Sequence, residues 1–415
     1  MPAALFFFTF LFVYGGMHAY AYRKVQLTFH LSPGPKMLLI IFMVFMVAAP
    51  MLIHMQNKRG MRLTALLTAY MGFTWMGFLL LFFTVFLAAD VYNLLIRTAG
   101  VAFGLSQNLP DISKFALTGR NSFFLLTLLV VAIMCYSIFD AQRIRTERVP
   151  LAYSRLPAGV THVTIVQISD VHLSLMVRRH FLKKVIAAVK KAKPDILVST
   201  GDMVDMEVKQ IMDMAELFQE INPPYGKFAI MGNHDFYAGI NDAVAFAQRA
   251  GFKVLRGEGV TVAGMINIAG VDDPTGFYFS QTAPQNEKAI LAALPHGLFT
   301  VLLKHRPDIT DGSPGLFDLQ LSGHTHGGQI FPFKWVIHFL YPMQDGLYQL
   351  SPRSFLYTST GTGTWGPPMR FLVPPKVTVI EIRSKEQKEH KEHKWKLALL
   401  SKKSAMSLMN TIYCL

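Results

Sequence analysis

Carboxylates, a carboxamide and imidazoles recur in five short clusters in the second half of the chain: Asp170-Val-His172, Gly201-Asp202, Gly232-Asn-His-Asp235, His305 and Gly323-His-Thr-His326. Singly each is weak, since a lone histidine is most often a satisfied structural residue and a Gly-Asp pair most often a turn. Jointly they mix hard oxygen donors with imidazole nitrogens in the number needed to hold two borderline divalent ions. Two such ions ~3.5–4 Å apart can share a carboxylate and a water, lower that water's pKa towards ~7 and clamp a phosphoryl group for in-line attack. No protein nucleophile is then required, in keeping with a region that has neither a nucleophile elbow nor a Walker-type glycine loop.

The clusters can meet only if each ends a strand, because loops at the carboxyl ends of a sheet converge on one place. Short β-branched runs supply those strands: Val163–Ile168, Asp195–Ser199, Lys227–Met231, Phe299–Leu303 and Leu316–Leu321. A Lys/Ala-rich helix is expected from Phe181 to Lys193. The stretch Lys253–Gly270 reads as antiparallel, with Phe252–Leu255 and Val260–Ala263 flanking Gly257-Glu-Gly. An α/β sandwich with mixed sheets follows.

The first half is of another kind. The 415 residues are 52% hydrophobic, too apolar for one soluble domain. Apolar runs over Ala3–Tyr20, Met37–Met55, Leu63–Ala88 and Ser122–Phe139 each approach the ~20 residues that cross a bilayer. About four transmembrane helices are expected in residues 1–140, then a linker at 141–159, a catalytic domain at 160–383 and a basic tail at 384–415. Lys58, Arg59 and Arg62, and Arg143, Arg145 and Arg148, form the denser basic groups, which places both termini and the catalytic domain on the cytoplasmic side. Lys+Arg at 40 against Asp+Glu at 26 favours anionic partners. Cys135 and Cys414 supply neither a disulfide framework nor a thiolate metal site.

The pattern D-x-H, G-D, G-N-H-[DE], H and G-H-x-H resembles the calcineurin-like metallophosphoesterase family over about Val160–Arg383. The resemblance implies a four-layer αββα sandwich carrying two divalent ions, with Mn favoured over Fe, Zn or Ni. It implies Asp170, His172, Asp202 and His326 around the first ion and Asp202, Asn233, His305 and His324 around the second, Asp202 bridging. His234 would not be a ligand but would protonate the leaving oxygen or stabilise the transition state, with Asp235 orienting its ring. Leu302-Leu-Lys-His-Arg-Pro-Asp308, Gly323–Gln329 and Gly361-Thr-Gly-Thr are similar to the membrane-associated bacterial branch, which includes UDP-2,3-diacylglucosamine hydrolases of lipid A synthesis. The multi-helix N-terminus departs from the single anchor or export signal of many relatives.

Three readings compete: a hydrolase of a lipid-linked phosphate, foremost UDP-2,3-diacylglucosamine; a general phosphodiesterase or nuclease, with nucleic acid the less favoured partner; and a transport or signalling module in which the metal domain regulates. The third would need ionisable groups inside the spans, and Asp90 is the clear candidate. The aromatic insert Phe331–Tyr341 reads equally as a bilayer-dipping segment or as a lid packed on the domain. Arg306 and Arg370 are candidates for contact with substrate phosphate or for structural capping.

Overall fold

The computed structural model describes residues 3–104, 113–153, 156–157, 159–174, 176–205 and 208–384. The basic tail, with Trp395, His390, His393 and Cys414, lies outside the described residues.

Four helices come first: α1 (Ala3–Phe29), α2 (Pro33–Lys58), α3 (Arg62–Gly104) and α4 (Gly119–Ala141). Among the described residues, α2, α3 and α4 are long and apolar enough to cross a membrane. Their outward faces are apolar, Leu38, Leu67, Leu125 and Leu128 all being more than half exposed, which a lipid solvent accepts and water does not. Asp90 is not a free intramembrane charge: Lys24 of α1 ion-pairs with it, and Tyr20 donates to Oδ2 at 2.7 Å. The observation that would have favoured transport is thus a charge neutralised within the bundle.

The remainder contains two six-stranded mixed sheets. β1 (Arg145–Tyr153), β2 (His162–Ile168), β3 (Ile196–Ser199), β4 (Lys227–Ala229) and β5 (Lys253–Val254) form the first with β12 (Lys376–Ser384), in the order β1-β12-β2-β3-β4-β5. The second runs β10-β11-β9-β8-β7-β6, from β6 (Glu258–Val262), β7 (Ile266–Gly270), β8 (Phe299–Leu303), β9 (Leu319–Ser322), β10 (Gly346–Gln349) and β11 (Phe355–Thr358). Ile165, Val198, Ile268, Val301 and Leu321 pack between the sheets. α5 (Arg179–Ala192) and α6 (Asn233–Arg249) cover the first sheet through Leu182, Val185, Val189 and Phe246, α7 (Thr275–Tyr278) packs by α6, and α8 (Glu287–Ala292) lies beside the second sheet, where Leu291 and Leu302 share an apolar cluster. This is the expected mixed α/β sandwich.

Two local expectations are corrected. Residues 141–159 are not merely a linker, because Arg145–Tyr153 pairs in parallel with β12. Its charges and Pro150 hide a strand that buries Val149 and Leu151 on one face at the sheet edge, where a missing N–H is tolerated. Lys253–Gly270 is not one hairpin either. Leu255 donates to Ala229 O in the first sheet, Gly257 then donates to Gly270 O, and the hairpin is β6–β7 in the second sheet. The chain changes sheets at Leu255–Gly257, a step set by where each strand finds a partner.

Candidate metal centre

β2, β3, β4, β8 and β9 all deliver their following loops to one end of the sandwich, and the five clusters meet there. Asp170, His172 and His326 form one group of donors, and Asp202, His305 and His324 another, each with atoms within 4.8 Å of one another. Nε2 of His172 and of His326 are 3.0 Å apart, and Nε2 of His305 is 3.2 Å from Asp202 Oδ2. Asn233 Oδ1 lies 3.1 Å from His305 Nε2 and 2.8 Å from His324 Nδ1. All seven expected ligand positions are therefore brought together.

The backbone is bent to do this. Asp170, His172, Asp202, His324 and His326 all have φ between +50° and +69°, a region side-chain-bearing residues rarely adopt and one that concentrates at functional sites. Gly323 lets the turn press on Asp170: a Cβ there would fall on Ser169 Oγ and Asp170 Oδ2. The His324 amide then donates to Asp170 Oδ1 at 3.0 Å. The His305 ring is fixed by its Nδ1, which donates to Thr200 O at 2.7 Å and leaves Nε2 turned towards the carboxylate.

Charge in the pocket suits cations. Burial, helped by neighbouring positive groups, lowers His172 to about 4 and His324 to about 3, and holds His326 well below its ordinary value. These imidazoles are neutral, the form that binds metal. Burial works against ionised Asp202 too, but His305, His234 and His172 hold it well below the usual carboxylate range. Burial opposes a proton on His305, yet Asp202, Asp170 and Asp273 lift it to about 10. The proton marks where the buried carboxylates call for positive charge, and mixed O/N donors at this spacing fit divalent ions.

Asp235 does not orient His234. It opens α6, and its carboxylate turns back to accept from the amides of Gly232 and Asp202, both at 2.8 Å, and of Val204 at 3.3 Å. It thereby holds the loop that carries Asp202. The residue on the His234 ring is Asp205, whose Oδ1 is 3.0 Å from Nδ1. Burial would lower His234, but Asp205 and Asp202 raise it to about 9. Asp205 was missed because its one signal was a second carboxylate three positions after Asp202 in the same loop. Tyr341, whose hydroxyl is 3.1 Å from His324 Nε2, had no local signal.

Both arginines are held by protein groups. Arg306 is bidentate to Asp273 at 2.7 and 2.9 Å. Arg370 is fully buried and donates to Thr360 O, His326 O and Gly363 O, with its guanidinium 3.1 Å from His326 Nδ1. Its own amide donates to Ser137 O of α4 at 2.9 Å, so the segment behind His326 is tied to the bundle. The next contact is tighter. Met369 occupies the space a side chain at Gly77 of α3 would need, and is itself fully buried among Leu79, Phe82 and Val130.

A family model described as calcineurin-like phosphoesterase matches residues 163–328. The chain is 38% identical to an uncharacterised metallophosphoesterase of Aquifex aeolicus, over 62% of this chain and 98% of that protein. An uncharacterised metallophosphoesterase of Campylobacter jejuni is 28% identical over 92% of this chain and 99% of its own length, so the likeness reaches into the N-terminal helices. A bovine transmembrane protein with metallophosphoesterase domain is 30% identical over 68% of this chain and 65% of that protein. The chain belongs to the calcineurin-like metallophosphoesterase family, and is a membrane-associated, metal-dependent phosphohydrolase.

Proposed function

We propose that this phosphohydrolase cleaves a phosphoester or pyrophosphate bond of a lipid-linked substrate at the bilayer surface, with UDP-2,3-diacylglucosamine the leading candidate. The observation that carries this is the seating of the pocket: Met369 and Arg370, directly behind His326, are anchored to Gly77 and Ser137 of membrane-length helices. A substrate retained in the bilayer by its acyl chains would meet a site held at the same surface, which raises its effective concentration. The basic groups at Lys58–Arg62 and Arg143–Arg148 lie at the ends of α2 and α4, and the second of them runs into β1 of the catalytic domain, which supports a cytoplasmic site.

In this reading Asp170, His172, Asp202 and His326 hold one ion, and Asp202, Asn233, His305 and His324 the second, Mn being favoured for both. Bound ions would supply Lewis-acid stabilisation of the phosphoryl charge and a more acidic water. The protein's own residues do the rest. His234, protonated at neutral pH, stands beside His172 with ring centroids 4.8 Å apart and can give its proton to the departing oxygen. Asp205 fixes the ring by its Nδ1–H, leaving Nε2–H for that donation. Asp235 acts only by positioning, through the amides it caps.

The test is release of UMP from UDP-2,3-diacylglucosamine by the Mn-loaded protein in lipid nanodiscs, beside a His234→Ala control. UMP from the intact protein alone supports the substrate. Absence of UMP from protein that still cleaves a soluble aryl phosphodiester rejects it and turns the search to other lipid phosphates and to nucleotides.

A further inference from the structure

The insert Phe331–Tyr341 is not a lid packed on the domain. It contains a helix, α9 (Phe333–Leu340), in which no residue is buried. Trp335 is 63% exposed, Phe339 86% and Leu340 68%. Trp335 and Phe339, and Val336 and Leu340, are spaced by four, so each pair lies along one side of the helix. Leu372, next to the residue that pairs with Ile330, adds another exposed apolar side chain. Water does not favour such a patch, and its surroundings identify what covers it.

α9 is continuous with the membrane-facing part of the molecule. Ile330, three residues before it, is buried in the bundle's own apolar cluster and is bridged to Phe371, whose ring stands on Tyr136 of α4 at 6.4 Å. Arg370 donates to Ser137 O, one turn before α4 ends at Ala141. At 1.5 Å per residue that contact lies roughly 6 Å inside the end of the apolar helix α4. The helix start is pressed onto the metal loop, since a Cβ at Gly328 would fall on the Lys334 backbone. Lys334 itself is paired with Asp345 at 2.8 Å, on the domain side.

We propose that α9 lies in the headgroup and upper acyl layer of the bilayer beside α4, with phospholipid covering Trp335, Val336, Phe339 and Leu340. Tyr341, which follows α9 directly, touches His324, so the lipid-borne helix forms one wall of the metal pocket. This deepens the reading of a lipid-linked substrate, but the contact with phospholipid is tested without any substrate.

The chain has four tryptophans, so the emission of Trp335 is taken as the difference between the full-length protein and its Trp335→Phe variant. Both are placed in phosphatidylcholine nanodiscs made with plain or with acyl-brominated lipid. The expected result is that the Trp335 contribution falls about two-fold or more in brominated lipid and resists aqueous iodide. A contribution that is unchanged by bromine and quenched by iodide overturns the proposal, since α9 then faces water. A contribution touched by neither overturns it too, since protein then covers the helix, as in a dimer of this chain. Loss of the UMP activity would alter none of these outcomes, so the two readings fail separately.

Discussion

The two halves of the metal pocket are braced from different directions. Asp170, His172 and His326 are all buried, and behind His326 stands the sequestered Arg370, tied through its backbone to α4. In the other half His305 is equally buried, but His324 is partly exposed and touches Tyr341 at the end of α9. One half is therefore backed by the bundle, and the other borders α9 on the more exposed side of the pocket. Asp202, 3.7 Å from His172 and 3.2 Å from His305, belongs to both.

The largest effect is expected at the shared residue. Asp202→Asn should lower kcat/KM on the order of 10³-fold or more and reduce the metal retained after dialysis, measured by plasma mass spectrometry. Retention of both ions with normal turnover would break the two-half description. His234→Ala should cost roughly 10²- to 10⁴-fold in kcat/KM while leaving metal content intact, separating proton donation from metal binding.

Next comes the brace on the bundle side. Gly77→Leu collides with the buried Met369 and should destabilise the seating by about 1–3 kcal/mol, read as a lower Tm in nanodiscs. Activity should fall with it, and a Met369→Ala partner change that restores both would locate the coupling in that contact.

Asp205 sharpens the comparison by pH. As the proposed acid His234 acts in its protonated form, so activity should be present below its pKa and be lost as pH rises through about 9. Asp205→Asn removes a carboxylate that raises that pKa, so the alkaline limb of kcat/KM should move towards the ordinary histidine value of about 6.5. An unmoved limb would remove Asp205 from the mechanism. Tyr341→Phe, at the end of α9, should have the smallest effect, about ten-fold or less in kcat/KM, with metal content near normal.

Much of this was legible in one dimension. β8 was read in full from Phe299–Leu303, and β2, β3 and β4 to within a residue or two at most ends, because alternating or continuous apolar runs bounded by polar loops leave a periodic trace. β1 left none, since this edge strand buries only Val149 and Leu151 of its nine residues, too short an alternation to stand out beside its Arg, Glu and Pro. The role given to Asp235 failed for a related reason. Adjacency in sequence suggested that it serves His234, but on a helix's first turn a carboxylate is drawn to the free backbone amides below it.

The sequence by itself picked out the candidate donors, because a site for two divalent ions admits few residue types and each candidate stands near the end of a recognisable strand. It determined the membrane half too, because crossing a bilayer demands length and apolarity that no local accident supplies. Only the tertiary structure decided that Asp205 holds His234, that Arg370 is sealed behind His326 and that Met369 fills the space above Gly77. Those are contacts between residues up to 292 positions apart, read from the numbering of Gly77 and Met369. They depend on shape and on which hydrogen-bonding groups remain unmatched once the sheets and helices have packed, and no local pattern along the chain records either.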